Sequence, residues 1–275
     1  MTYGLLYKHQ ICNRCNKPML FAITKKTIDE CWWRCAKKSC RLTKRVRCGS
    51  FFKDKHVPLN KCIMIIYYWS LNDVSQATTE EILKVSSTGV VMSWFGMLRD
   101  LCTRWIRDHP IQIGGHGHTV LIAKNLISHR KRSRNGVVLP LNEKWVFGAI
   151  DQDTKETFLV EVYETNAETS LPILLKHLLP GTTVCSKDCN EYNKLMRATD
   201  NQSILFVAPT GPRKNIVENL WRCMTDKLKR MRGTSDANTL SYLDEFLWHR
   251  QRRNGDRSTC FQKALELIRT YYPCS

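Results

Sequence analysis

Two close pairs of cysteines stand near the start of the chain: Cys12-Asn13-Arg14-Cys15 and Cys35-Ala36-Lys37-Lys38-Ser39-Cys40. Thiolates are preferred ligands of Zn²⁺, and two paired-cysteine turns bring four sulfurs into a tetrahedron. The basic, aromatic segment between the pairs would form a ribbon. The spacing predicts a structural zinc module over residues 1–55, with Cys12, Cys15, Cys35 and Cys40 as ligands. Cys31 and Cys48 lie close enough in sequence to serve as alternative ligands. Free buried thiols are the plainer reading, because cysteine often behaves as a small hydrophobe. A metal would also supply folding energy to about fifty polar residues that hold little core of their own.

The elements around these pairs fall into regions. Leu59 to Leu71 carries Ile63, Ile65, Ile66, Tyr67 and Trp69, which predicts a buried helix. Ser75 to Lys84 reads as a second, shorter helix. Ser86-Ser87 can cap a third containing Val90, Val91, Trp94, Phe95, Leu98, Leu101 and Cys102 at helical spacing. Residues 56–109 therefore read as a helix-turn-helix module whose last helix would enter a major groove. Lys84, Ser87 and Thr88 are its candidate DNA contacts, although few long polar side chains mark the start of that helix. Residues 110–118, rich in Gly and His, read as a linker.

Residues 119–275 begin with strands and end with helices. Thr119 to Ala123 reads as a buried strand. Lys144 to Ile150 and Thr157 to Tyr163 read as an antiparallel hairpin around the turn-forming Asp151-Gln152-Asp153-Thr154-Lys155-Glu156. A helix over Ser170 to Leu179 is expected to hold Pro172 in its first turn, and Pro180-Gly181 ends it. Strands follow at Thr182 to Cys185 and Ser203 to Val207, then helices at Asn215 to Met231, Leu240 to Arg250 and Phe261 to Tyr271. Three strands, a helix, a fourth strand and later helices match the order of a ribonuclease-H-like α/β domain. The expected fold class is α/β, with such a core preceded by the zinc ribbon and the helix-turn-helix.

Charge narrows the partners. The 275 residues carry 43 Lys and Arg against 25 Asp and Glu, a formal +18. A surface this basic concentrates polyanions, nucleic acid foremost, with acidic proteins and anionic lipid as alternatives. Thirteen cysteines without a recognisable secretory signal at Met1 to Lys8 point to a reducing, intracellular compartment. The longest apolar run, Cys62 to Trp69, is too short to span a bilayer, so no membrane partner is expected.

Together these residues resemble a family. The two cysteine pairs, Trp33-Arg34-Cys35 with Cys40-Arg41, Arg47-Cys48-Gly49-Ser50-Phe51-Phe52 and Tyr68-Trp69 resemble the N-terminal half of Merlin-type transposases. These are eukaryotic relatives of ISXO-type bacterial insertion-sequence transposases. Trp145-Val146-Phe147-Gly148, Leu179-Pro180-Gly181-Thr182, Tyr192-Asn193, Asn215-Ile216-Val217-Glu218-Asn219-Leu220-Trp221, Arg232-Gly233-Thr234 and Ser241 to Arg250 continue the likeness. It spans Cys12 to Pro273.

The resemblance implies a DDE triad, three carboxylates that hold two Mg²⁺ or Mn²⁺ ions for DNA strand cleavage and transfer. This chain departs from that pattern at two of the three positions. The family's first acid falls at Ala123 in Leu121-Ile122-Ala123-Lys124, where a methyl group ligates nothing and Lys124 adds positive charge. The second falls at Lys187 in Cys185-Ser186-Lys187-Asp188, with Asp188 one step late. On a strand that slip turns the side chain to the opposite face, unless a bulge returns it. Glu218 keeps its motif. Glu218 and Asp188 are thus the residual candidate catalytic residues, and the resemblance implies a binding protein that cuts little or no DNA.

The run His129-Arg130-Lys131-Arg132-Ser133-Arg134 offers Arg130, Lys131, Arg132 and Arg134 as phosphate contacts, as a nuclear-localisation signal or as a solvated loop. The leading expectation is a nuclear, transposase-derived protein that binds double-stranded DNA, with a homodimer suggested by the family. The rivals are an active metal-dependent transposase and a zinc-stabilised protein-interaction adapter.

Overall fold

The computed structural model of the chain describes residues 3–85, 89–128, 133–134, 137–138, 144–198, 203–209, 214–230, 238–252 and 257–274. The chain divides into two compact units, Met1–Trp105 with Arg252–Ser275, and Ile106–Gln251. No helix among the described residues is long and apolar enough to cross a membrane.

The first unit opens with a three-stranded antiparallel sheet of β1 (Met19–Ile23), β2 (Cys31–Cys35) and β3 (Thr43–Arg45), in that order. Helices α1 (Leu59–Leu71), α2 (Gln76–Leu83) and α3 (Val90–Asp108) follow. Asn72 closes α1 in the left-handed region, as Lys84 closes α2. Ser75 caps α2 by accepting from the Thr78 amide. The apolar stripe of α3, Val91, Trp94, Phe95, Leu98, Leu101 and Cys102, is buried. Phe51 meets Trp94 edge-on at 5.6 Å. Ser86, Ser87 and Thr88, read from sequence as a helix cap and DNA contacts, lie outside the described residues.

The second unit contains β4 (Ile113–Gly114), β5 (Thr119–Ser128), a short antiparallel pair β6 (Ser133–Arg134) and β7 (Val137–Val138), β8 (Lys144–Asp151) and β9 (Thr157–Val162). Then come α4 (Ala167–His177), β10 (Leu178–Leu179), β11 (Thr183–Cys185), α5 (Cys189–Ala198), β12 (Leu205–Val207), α6 (Lys214–Arg230) and α7 (Thr239–Arg252). Five strands make one mixed sheet in the order β12-β11-β5-β8-β9. β5, β8 and β9 are antiparallel neighbours, while β11 joins the other edge of β5 in parallel and β12 joins β11 in parallel. β8 is buried along nearly its whole length, as a strand covered on both faces must be.

Several local expectations change. Residues 110–118 are not a free linker: β4 pairs in parallel with β10, and Ile111 and Ile113 are buried. Gly114 has φ +84, and a Cβ there would lie 2.3 Å from Thr182 Oγ1, so glycine is required. Helix α4 begins at Ala167 under the Asn166 cap, which puts Pro172 beyond the first turn. The last helix, α8 (Arg257–Tyr271), packs on α1 and belongs to the first unit. The sequence reading had run the third region through to residue 275.

Candidate functional site

The cysteine cluster is assembled by two turns and a strand end. Cys12 and Cys15 flank a tight turn in which the Asn16 amide donates to the Cys12 carbonyl at 2.9 Å. Cys35 ends β2, and Cys40 sits in a turn closed by the Cys40 amide on the Lys37 carbonyl at 3.0 Å. Lys44 pins the first turn to β3 by donating to Gln10 Oε1 and Asn13 Oδ1 at 3.0 and 2.9 Å. All four sulfurs lie within 4.8 Å of one another, with Cys12 to Cys40 at 3.6 Å and Cys15 to Cys35 at 3.4 Å. Four sulfurs each about 2.3 Å from one zinc ion stand roughly 3.8 Å apart, so the cluster could hold structural Zn²⁺. Cys31 and Cys48 are not among the clustered four.

The thiols differ electrostatically. Burial would raise the pKa of Cys12, but the amides of Arg14 and Cys15 and the Cys40 and Cys15 thiols outweigh it and hold the pKa at about 6. Burial pushes Cys35 up to about 12, opposed by the Lys37 amide.

In the second unit, a cavity of about 520 Å³ is lined by Ala123, Lys124, Lys187, Asp188, Glu218 and Trp221, with neighbouring apolar residues. Thus Ala123, Lys187 and Glu218, the positions where the transposase resemblance would place acids, border a single pocket together with Asp188. Ala123 and Lys124 lie in β5, where they pair with Gly148 and Phe147 of β8. Glu218 lies in α6 and is exposed. Strand alternation does not decide the direction of Asp188, because β11 stops at Cys185. Asp188 instead lies in the turn that starts α5, its amide donating to Ser186 Oγ at 3.1 Å. That turn points its carboxylate at Lys124, with Nζ 3.6 Å from Oδ2. Lys124 also donates to the Thr165 carbonyl.

This donor set does not fit a pair of divalent ions. Hard cations need several oxygen ligands and net negative charge. Here one position is a methyl group, and an ammonium engages the carboxylate nearest to it. Helix α5, absent from the sequence reading, shapes this end of the cavity. Tyr192 stacks on Phe206 at 4.8 Å, and Asn193 Nδ2 donates to the Phe206 carbonyl at 3.1 Å, which fastens α5 to β12. Burial pushes the Tyr192 phenol up, so it stays a neutral packing group. The Tyr192-Asn193 pair in the sequence was the available signal for this contact.

Among the DNA-contact candidates, Lys84 is exposed at the end of α2 and its carbonyl accepts from Lys61 Nζ at 3.2 Å. The backbone of Arg134 forms part of β6. Arg130, Lys131 and Arg132 lie outside the described residues. A second grouping brings His118, just before β5, to Asp151 at the end of β8 and Asp153 in the turn to β9. His118 Nδ1 lies 2.9 Å from Asp151 Oδ2, while Asp151 Oδ1 accepts from the Asp153 and Thr154 amides at 2.8 and 3.0 Å. Burial would raise the Asp151 pKa, but the two amides and His118 hold the carboxyl below its usual value.

Fold and site therefore define a two-unit protein: a four-cysteine cluster in the first unit, and in the second an α/β domain on a mixed five-stranded sheet with a cleft bordered by lysines and carboxylates. No protein-family model and no curated protein sequence matches the chain. In structure it is distantly similar to a chain of the cryo-EM structure of the simian T-cell lymphotropic virus intasome in complex with PP2A regulatory subunit B56 gamma. The identity is 9% and the TM-score 0.34, over 66% of this chain and 64% of the other. This chain thus matches less than two thirds of that chain's length, and a likeness at this level carries no information on activity.

Proposed function

We propose that the chain is a transposase-derived protein that binds double-stranded DNA and cuts little or none of it. A ribonuclease-H-like assignment for the second unit is supported by three antiparallel strands followed by two that join in parallel beyond the first. The Merlin-type motifs and the formal +18 support the descent and the partner. The zinc-ribbon reading is supported by the cysteine cluster beside a three-stranded sheet, and the helix-turn-helix reading by α2 and α3. DNA binding by the chain would place it in the nucleus of a eukaryotic cell.

The observation that carries the non-cutting reading is the Lys124–Asp188 ion pair next to Ala123, in the cleft that also holds Glu218. An ammonium there supplies fixed positive charge toward a phosphate without supplying the vacant coordination sites that activate water. Purified full-length protein should shift duplex DNA equally in EDTA and in Mn²⁺, with affinity falling as salt rises. Nicking of duplex DNA in Mn²⁺ that Glu218→Gln abolishes would overturn the reading. Binding that is absent, or indifferent to salt, would instead favour a protein-interaction adapter.

A further inference from the structure

The geometry points to a phosphate-binding cleft in the first unit, formed where the β1–β2 loop, β3 and the segment before α1 converge. The cleft has a volume of about 480 Å³, and Lys26, Arg45 and His56 are on its lining. This inference rests on the DNA-binding reading and names where a backbone phosphodiester would sit.

Its floor is built before any ligand arrives. Arg47 and Asp29 form an ion pair whose side chains are 4% and 5% exposed. Arg47 also donates to the Lys55 and Val57 carbonyls, and Asp29 Oδ1 accepts the Leu59 amide at the start of α1. These bonds tie three segments together and cancel the charge at the bottom. Three further cations of the lining are already engaged: Lys44 on Gln10 and Asn13, Lys55 on Met97 Sδ and over the Trp94 ring, and Lys53 on the exposed Asp54 at 4.0 Å. Lys26, Arg45 and His56 are exposed, and their side chains make no hydrogen bond or ion pair among the described residues.

A neutral floor with two free cations, Lys26 and Arg45, at the rim suits one anion in particular. A free phosphate gains most from being enclosed by donors. A backbone phosphodiester keeps part of its surface in solvent and needs charge on one side only. The rim matches that second demand.

Two measurements on the full, zinc-loaded chain test the inference. Lys26→Ala and Arg45→Ala should each lower the slope of log affinity against log salt by about 1, uniformly across duplex sequences. Circular dichroism and zinc content should stay unchanged, since both side chains are exposed. In the unsubstituted chain, duplex DNA should protect Lys26 from acetylation, read by mass spectrometry. Wild-type binding with an unaltered slope in Lys26→Ala/Arg45→Ala, or Lys26 acetylated equally with and without DNA, overturns the cleft and leaves the DNA-binding reading standing. A wild type that binds no DNA at any salt overturns both.

Discussion

The Lys124 ammonium lies 3.6 Å from the Asp188 carboxylate, in the cleft that the neighbouring Ala123 also lines. At roughly 5 Å and an effective dielectric near 20, one charge acts on another with about 3 kcal/mol, and on a divalent ion with twice that. Removing the lysine and restoring an acid should therefore raise metal affinity well beyond tenfold. Isothermal titration should find Mn²⁺ bound by Ala123→Asp/Lys124→Ala at least about tenfold more tightly than by wild type, tenfold being about 1.4 kcal/mol. Equal affinities would show that this ion pair is not what keeps the cleft from holding metal.

That relationship was half legible in the sequence. The types of residues 123, 124 and 187 were readable as a methyl group and two ammonium groups where the transposase resemblance would place acids. The direction of Asp188 was not readable, because it depends on β11 stopping after three residues and on a turn fastened by Ser186. Apolar, β-branched and aromatic runs flanking a turn, such as β8 and β9, stood out at once. Helix α5 did not, because its polar face in Asn190-Glu191-Tyr192-Asn193-Lys194 hides the few apolar positions that pack. The linker reading failed for a related reason: glycines at 114, 115 and 117 signal a loop, while the pairing of Ile113 with Leu178 is non-local. The cysteine cluster was legible because its spacing is local.

Gly148 and Trp221 lock β8 to α6. A Cβ on Gly148 would lie 2.6 Å from Leu159 Cδ2 and 2.9 Å from the Trp221 ring, closer than real contacts allow. Leu159 is packed in the buried core, while the Trp221 indole borders the cleft, so relief would require the indole to move toward the cavity. Gly148→Ala should destabilise the second unit by about 1–3 kcal/mol. Urea unfolding followed by tryptophan fluorescence measures this, and an unchanged midpoint would mean that the indole swings aside freely.

Arg47 and Asp29 make a buried ion pair in the first unit, and the carboxylate doubles as the acceptor for the first amide of α1. Removing one member leaves the other buried and uncompensated, at a cost of about 3–5 kcal/mol. Asp29→Ala should therefore unfold more easily than Arg47→Met/Asp29→Leu, in which both charges are gone. A double-mutant cycle by chemical denaturation reads the difference; if the double variant is the weaker protein, desolvation does not dominate here.

The cysteine cluster should contribute folding free energy through its metal. Purified protein should carry one zinc per chain by mass-spectrometric metal analysis, and Cys12→Ala or Cys40→Ala should lose it. Cys48→Ala, outside the cluster, should retain it. Chelation should lower the unfolding temperature of the first unit, and loss of zinc from Cys48→Ala with retention in Cys12→Ala would reassign the ligands.

A half-buried histidine and a buried aspartate set the acid stability of the second unit. His177 stacks on Phe158 at 4.5 Å and donates Nδ1–H to the Ile111 carbonyl at 2.7 Å, and burial holds its pKa below the usual 6.5. The unfolded chain therefore takes up that proton first, so stability is full above pH 6.5 and declines as pH falls below it. Asp151, held below 3.8 chiefly by the Thr154 and Asp153 amides against the opposing effect of burial, adds a second decline in the same direction as pH drops through that range. His177→Asn keeps a donor for the carbonyl and cannot titrate, so it should erase the first decline and leave the second. Asp151→Asn should do the reverse, with its deficit against wild type shrinking toward pH 3. Denaturation midpoints measured from pH 8 to 3 decide; a first decline that survives His177→Asn would assign it to another group.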